Sequence, residues 1–369
     1  MILMNDFKAE PAALRAAMLA AAERVMASGW YVLGPEVEAF ERRWAERVSL
    51  RHAVGVGNGM DALELGLRAL DIGHGDEVIT TPMTAFATVL AILRAGAVPV
   101  LADIDPASAL LDPASVQRCI GPRTRAVILV HLYGQMRDMA AWQALCAQAS
   151  IALIEDCAQA HEARWGGRGA GGFGRVGAYS FYPTKNLGAL GDGGALVTDD
   201  CELAERVARL RNYGQSERYS HPEVGMNSRL DELQAAILSV RLELLGGFTE
   251  RRKAVAQQYF AGIHNPAVQL LAPPQAPEAH VFHLFAVRCA QRDALQIHLK
   301  ARGVHALIHY PIPIHGQPPC VDLRRDPQGL AASEQHAREC LSLPCHPQLD
   351  DAQVAQVVAA VNSFRATAR

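Results

Sequence analysis

The sequence predicts an α/β protein built on a mostly parallel central sheet, with a smaller C-terminal α+β domain. Three observations carry this. Short, near-continuously apolar runs such as Arg125–His131 and Ile151–Glu155 alternate with helical patterns, as in a sheet buried on both faces. Apolar residues recur at helical spacing between those runs. After Gly246 the pattern changes to long helices, a proline-rich stretch over 273–277 and alternating strand-like segments. The expected division is 1–246 for a large domain, N-terminal segment included, and 247–369 for a small one.

The elements follow in order. Gly34-Pro35 opens a helix, because proline suits its first position, and Val37, Phe40, Trp44 and Val48 mark its apolar face. Ala53–Val56 reads as a strand, and Asn58-Gly59 starts a helix carrying Leu63, Leu67 and Leu70 on one side. Strands are expected over Glu77–Thr81, Val98–Ala102, Gly177–Tyr182 and Gly194–Thr198. Helices are expected over Ala85–Ala95, Met139–Ala149 and Glu202–Arg211. The C-terminal part should hold a helix over Thr249–Ile263 and a strand over His280–Arg288. Helices should follow near Arg292–Arg302, Ala332–Leu341 and Asp351–Phe364.

Composition narrows the function classes. Half of the 369 residues are hydrophobic, so a large core can form. A net charge of -3 and a pI near 6.5 argue against a nucleic-acid partner. No apolar run approaches the ~20 residues of a membrane span. The first residues do not form a signal peptide, which leads us to expect a cytoplasmic protein. None of the eight cysteines forms a Cys-x-x-Cys pair, and they read as buried free thiols.

The most informative residue is Lys185. It follows an apolar strand and precedes a glycine-rich turn ending at Gly194, an unusual setting for a solvated charge. Such a lysine suits an amine that must lose its proton and attack a carbonyl. Asp156 ends another buried strand, and a buried carboxylate without a cation costs several kcal/mol in order of magnitude. Together they fit pyridoxal phosphate (PLP), the lysine forming a Schiff base and the aspartate keeping the ring nitrogen protonated. Gly59 and Met60 begin a helix after a strand, where backbone N–H groups can hold a phosphate, and Ser180 adds a hydroxyl. Phe86 begins a further helix and would stack on the ring or pack in the core. Taken separately, each of these positions also has an ordinary structural explanation.

Two patterns are set aside. Gly169–Gly174 matches a dinucleotide-binding glycine pattern but is followed by a strand rather than a helix. His305 and His309 stand four apart in what reads as extended chain, so no metal site is expected.

Ordered motifs then reveal a resemblance that runs nearly end to end. They are Gly29–Pro35, Gly75–Ile79, Glu155–His161, Ser180–Gly194, Gly225–Ala235 and Tyr310–His315. The chain resembles the DegT/DnrJ/EryC1/StrS sugar aminotransferases, PLP enzymes of fold type I (aspartate aminotransferase-like). The resemblance implies Lys185 as the Schiff-base lysine, Asp156 beside the ring nitrogen and Gln159 beside the phenolic oxygen. It puts Phe86 at the stacking position and Gly59, Met60 and Ser180 in the phosphate cradle. Asn227 would reach the phosphate of a partner subunit, making a homodimer with shared sites. Met60 stands where threonine or serine is common, and Glu162 where glycine is frequent. Lysine at 185 argues against the dehydratases of the family, which carry histidine there.

The implied reaction is a two-stage transamination through PLP and its amine form, PMP, from L-glutamate to a nucleotide-linked keto-sugar. The Lys185 block, Arg211–Gly214 and Asn227–Ala235 look most like enzymes that aminate C3 of dTDP-linked keto-6-deoxyhexoses. Amination at C4, a PLP-dependent dehydratase or lyase, and a non-catalytic PLP-binding regulator are the alternatives. The nucleotide would lie over His309–His315, with His309, Tyr310 and His315, and near Trp30 and Tyr31. O-antigen, surface-layer glycan and antibiotic sugars are destinations such a product would have.

Overall fold

A computed structural model describes residues 1–366. Among these, the central sheet has eight strands. Across the sheet they run His52–Val56, Gly194–Thr198, Val176–Ser180, Ala152–Asp156, Thr124–Val130, Glu77–Thr80, Val98–Leu101 and Arg324–Arg325. All neighbours are parallel except Gly194–Thr198, which is antiparallel to both of its neighbours. Val130 pairs with Asp156, and Asp156 with Ala178, so the parallel strands end side by side. That common edge is where an open α/β sheet collects its ligand.

Both sheet faces are covered, which explains the apolar strand sequences. One face packs against helix Pro35–Val48, where Trp44 and Phe40 meet Tyr179 and Phe181 edge-on, at 4.9 and 5.2 Å between centroids. The other packs against helix Gly59–Ala69 through Leu63, Leu65 and Leu67. A separate core forms around Val255, Tyr259, Leu299, Leu341 and Val357, beside an antiparallel sheet of Gln269–Leu270, Phe285–Arg288 and Cys340–Leu343. Ile2 reaches across from the N-terminus to join it.

Several elements differ from expectation. The helix expected from Thr249 already begins at Glu232 and runs unbroken through Gly246-Gly247 to Gly262. Leu238, Leu242 and Leu245 are buried before the glycines and Val255 and Tyr259 after them. Packing on both sides overrides the propensity penalty of ~1 kcal/mol per glycine. Glu232 also reaches across to helix Pro35–Val48, accepting from the N–H groups of Gly34, Glu36 and Val37 at 2.8–2.9 Å. This is an acid at the positive end of a neighbouring helix. The strand expected over 280–288 is confined to Phe285–Arg288, because Val281 instead donates to the carbonyl of Gly134 and Phe282 turns at positive φ. The last expected helix turn at Leu341 is strand, paired with 285–288. Helix Ala12–Ser28 was not expected; its alanine-rich sequence shows no single apolar stripe. Helix Pro113–Cys119 was also missed, although Asp112 caps it and proline opens it.

Glu162 has φ +70°, the left-handed region where glycine is favoured. Its carboxylate pairs with Arg47 and accepts from the Thr249 hydroxyl at 2.8 Å. The side chain thus bridges two helices at a position where an ordinary residue costs about 1–2 kcal/mol. Two replacements separate these effects. Glu162→Gly and Glu162→Ala both remove the bridge, but only glycine relieves the backbone. Denaturant unfolding should show the glycine variant more stable than the alanine variant by roughly 1 kcal/mol. Equal stabilities would refute the backbone account.

Candidate active site

The site begins with two adjacent acids on opposite faces of one strand. Asp156 ends strand Ala152–Asp156, is 7% exposed, and its Oδ2 accepts from the Thr88 hydroxyl at 2.8 Å. Its Oδ1 accepts from Ala158 N–H at 3.1 Å. Among the described residues no cation pairs with it within salt-bridge distance. Glu155 points to the other face, as the pleat requires. Its carboxylate accepts from Gly171, Phe173 and Gly174 N–H at 2.7–2.9 Å and bonds His131 Nε2 at 2.8 Å. The glycine-rich loop 169–174 therefore cradles an anion, but the protein's own.

Lys185 lies in the turn after strand Val176–Ser180, its N–H bonded to the Tyr182 carbonyl at 2.8 Å. The next residue fixes the turn: the Asn186 amide donates to the Val281 carbonyl at 3.2 Å and bonds His283 at 3.1 Å through its oxygen. Half-buried, the Lys185 amine has its pKa lowered to about 8, by desolvation first, with the charge of Asp156 opposing. The imidazoles around it are kept neutral. Burial, then the positive charge of Lys185, pushes His161 down to about 3 and His309 to about 4. His283 is pushed well below its ordinary value by the same two causes.

A closed circuit of hydrogen bonds fixes Gln159. Its Oε1 accepts from Tyr133 N–H at 2.6 Å, so the amide nitrogen is the free donor and reaches the Tyr310 hydroxyl at 3.3 Å. The Tyr133 hydroxyl, in turn, donates to the His309 carbonyl at 2.7 Å and lies 2.9 Å from His336 Nε2. Burial, then the charge of Asp156, raises the Tyr310 hydroxyl to about 12, so it stays protonated.

Gly59 and Ser180 meet where helix Gly59–Ala69 starts. A Cβ on Gly59 would lie 2.7 Å from the Ser180 Cβ, so glycine is required there. Asn58 caps Asp61 N–H, leaving the first-turn N–H groups of Gly59 and Met60 available to an anion. Next to this turn, Ser228 donates to Asp61 at 2.7 Å and accepts from Gly57 N–H, which docks the segment carrying Asn227. The Asn227 side chain is exposed, as is Tyr31 at 56%. The Phe86 ring joins an apolar cluster with Val89, Leu101 and Ile314. His315 bonds Glu334 at 3.3 Å through Nε2. Thus Lys185, Asp156, Gln159, His309 and Tyr310 form one connected site, with Gly59, Met60 and Ser180 together beside it. Sequence reasoning missed Thr84, Thr88, Tyr133, Asn186 and His283. Only the Thr84/Thr88 spacing of four at a helix start offered a signal.

These residues fit PLP. A buried carboxylate held by neutral donors suits a cationic ring nitrogen, a lysine of lowered basicity suits the Schiff-base position, and a glycine–serine contact at a helix start suits a phosphate. Fold and site together define a PLP-dependent transferase of fold type I. The chain belongs to the DegT/DnrJ/EryC1/StrS aminotransferase family, whose profile matches residues 13–362. A dTDP-3-amino-3,4,6-trideoxy-alpha-D-glucose transaminase of Streptomyces venezuelae is 47% identical, covering 97% of this chain and 95% of its own. A dTDP-3-amino-3,6-dideoxy-alpha-D-galactopyranose transaminase of Aneurinibacillus thermoaerophilus is 46% identical, covering 93% and 94%. The crystal structure of S. venezuelae DesV in complex with a ketimine intermediate superposes with a TM-score of 0.94 at 46% identity, covering 98% and 97%.

The lowered basicity of Lys185 is measurable without cofactor. Competitive amine labelling of cofactor-free protein should modify Lys185 with a midpoint near pH 8. A free lysine derivative labelled in the same mixture should follow the ordinary value, near ~10.4. A Lys185 midpoint matching that of the free amine would contradict the desolvation argument.

Proposed function

We propose that this chain transfers the amino group of L-glutamate to C3 of a dTDP-linked keto-6-deoxyhexose. The observation that carries the reading is a lysine amine of lowered basicity beside a buried aspartate that lacks a cationic partner. Bound PLP supplies an electron sink for the carbanion at the reacting carbon. Asp156 pairs with the ring nitrogen, and Gln159 donates from its amide to the phenolic oxygen. Gly59 and Met60 N–H and the Ser180 hydroxyl hold the phosphate. The Lys185 amine would remove and return the proton at the reacting carbon, a role that its lowered basicity suits. Lysine at this position supports amino transfer over dehydration. The two transaminases at 46–47% identity support C3 and dTDP.

His309, Tyr310, His315 and Tyr31 are the proposed contacts for the nucleotide-sugar, and Phe86 the proposed neighbour of the ring. The domain division 1–246 and 247–369 is supported by the separate core around Tyr259, the long helix crossing the boundary. No described helix is long and apolar enough to cross a membrane. A cytoplasmic location is supported by the free, mostly buried thiols. A homodimer is supported by the exposed Trp30, Tyr31 and Asn227 on segments that flank the helix Gly59–Ala69 start or the Glu232 cap.

Purified protein should be yellow and should bleach with borohydride, and Lys185→Ala should retain no covalent label. With glutamate and candidate 3-keto and 4-keto nucleotide-sugars, NMR should place the new C–N bond at C3. Amination at C4 alone would overturn the assignment. Shared sites have their own test. Lys185→Ala and Asn227→Ala subunits, each impaired alone, should regain activity when mixed and reassembled. No recovery despite demonstrated mixed dimers would mean that each site is complete within one chain.

A further inference from the structure

The Asp156 carboxylate has a support that the reaction does not otherwise use. Thr84 and Thr88 are 4% and 1% exposed, and their hydroxyl oxygens lie 2.8 Å apart. Thr88 lies in turn 2.8 Å from Asp156 Oδ2. The direction of donation follows from the end of this chain. An ionised carboxylate only accepts, so the Thr88 proton is committed to Asp156. The Thr88 oxygen is then left as acceptor, and Thr84 must be its donor. Each hydroxyl is thereby set in one rotamer by the next. On the other carboxylate oxygen, Ala158 N–H donates at 3.1 Å. One donor on each oxygen fixes the carboxylate plane about its own Cβ–Cγ bond.

Helix Phe86–Arg94 begins between the two threonines, so the relay ties the start of this helix to the end of strand Ala152–Asp156. The Phe86 ring packs into the apolar cluster with Leu101 and Ile314, which anchors that helix start from another side. We propose that Thr88, its hydroxyl aimed by Thr84, is a positioning residue that holds the Asp156 carboxylate in the orientation in which it pairs with the ring nitrogen of PLP. The proposal rests on the reading of Asp156 given above. It adds two residues through which the strength of that pairing is set. Thr84 acts through Thr88, and Thr88 acts through Asp156.

The test compares holoenzymes carrying Thr88→Val, Thr88→Ser and Thr84→Val. Valine keeps the branched shape and removes the hydroxyl; serine keeps the hydroxyl and removes the methyl. Losing a hydrogen bond to a charged group should weaken PLP retention about tenfold or more in Thr88→Val. The visible band of that variant should also shift its pH dependence, a change that a packing defect would not produce. Thr88→Ser should restore both properties, and Thr84→Val should move them in the same direction by less. Wild-type retention and an unshifted band in Thr88→Val would overturn the proposal. So would a Thr88→Ser protein as impaired as Thr88→Val. Should Thr88→Val not fold, Thr84→Val carries the test, and an unchanged band there overturns the relay. These readouts need only bound cofactor. Failure to aminate a keto-sugar would therefore sink the proposed reaction while leaving the band comparison intact.

Discussion

The site is organised around a negative charge that the protein buries and does not neutralise. Asp156 sits at the end of a strand covered on both faces, and its two oxygens receive a hydroxyl and an amide N–H. Neutral donors stabilise a carboxylate but do not cancel it, and a buried charge held only by them still favours a cation. A protonated pyridine nitrogen would satisfy that residual demand. The neighbouring Glu155 has been dealt with in the opposite way. Three loop N–H groups and a histidine surround it, so its binding capacity is spent internally. Two adjacent acids thus divide between a satisfied structural anion and an anion open to a ligand. The alternation of a β-strand is what separates them.

Lys185 meets the complementary constraint. A nucleophilic amine must be neutral, and a carboxylate nearby opposes that by favouring the ammonium form. Desolvation is the larger influence here and lowers the amine to about 8. The surrounding histidines cannot add positive charge to help, since their own burial keeps them neutral. The balance therefore depends on the turn that keeps the amine away from water. Asn186 holds that turn to the segment 281–283, where the chain is irregular rather than the expected strand. A local departure from regular structure serves the positioning of the lysine.

Much of this was legible in the sequence, for identifiable reasons. Lys185 and Asp156 stood out because one follows an apolar run and the other ends one, and an apolar run fixes a strand and its burial together. The parallel sheet was legible for the same cause. Thr88 and Tyr133 were not, because a hydroxyl finds its acceptor only in three dimensions: the Thr88–Asp156 bond spans 68 residues and the bond from the Tyr133 hydroxyl to His309 spans 176. The early start of the long helix was hidden by Gly246-Gly247, whose local penalty is small against the burial of leucines on one side and Tyr259 on the other. At 162 the resemblance leads to an expectation of glycine, and only the backbone reveals why glycine would suit the position. The residue sits at φ +70°, and glutamate occupies it here while bonding to Arg47 and Thr249.

Tyr133 shows how the two halves of the molecule meet at the chemistry. It sits at the C-terminal edge of the central sheet, just after strand Thr124–Val130. Its backbone N–H orients Gln159, and its hydroxyl holds the carbonyl of His309, from the C-terminal half. Gln159 then reaches Tyr310, which closes the circuit. A displacement of the 309–310 segment must therefore either break a hydrogen bond or move Gln159. In a buried circuit the first option leaves an unsatisfied polar group, at a cost of about 1–3 kcal/mol. The second changes the position of the amide proposed to reach the phenolic oxygen. The residues proposed to contact the sugar and the residue proposed to contact the cofactor are thus mechanically joined, through a tyrosine bonded to both segments.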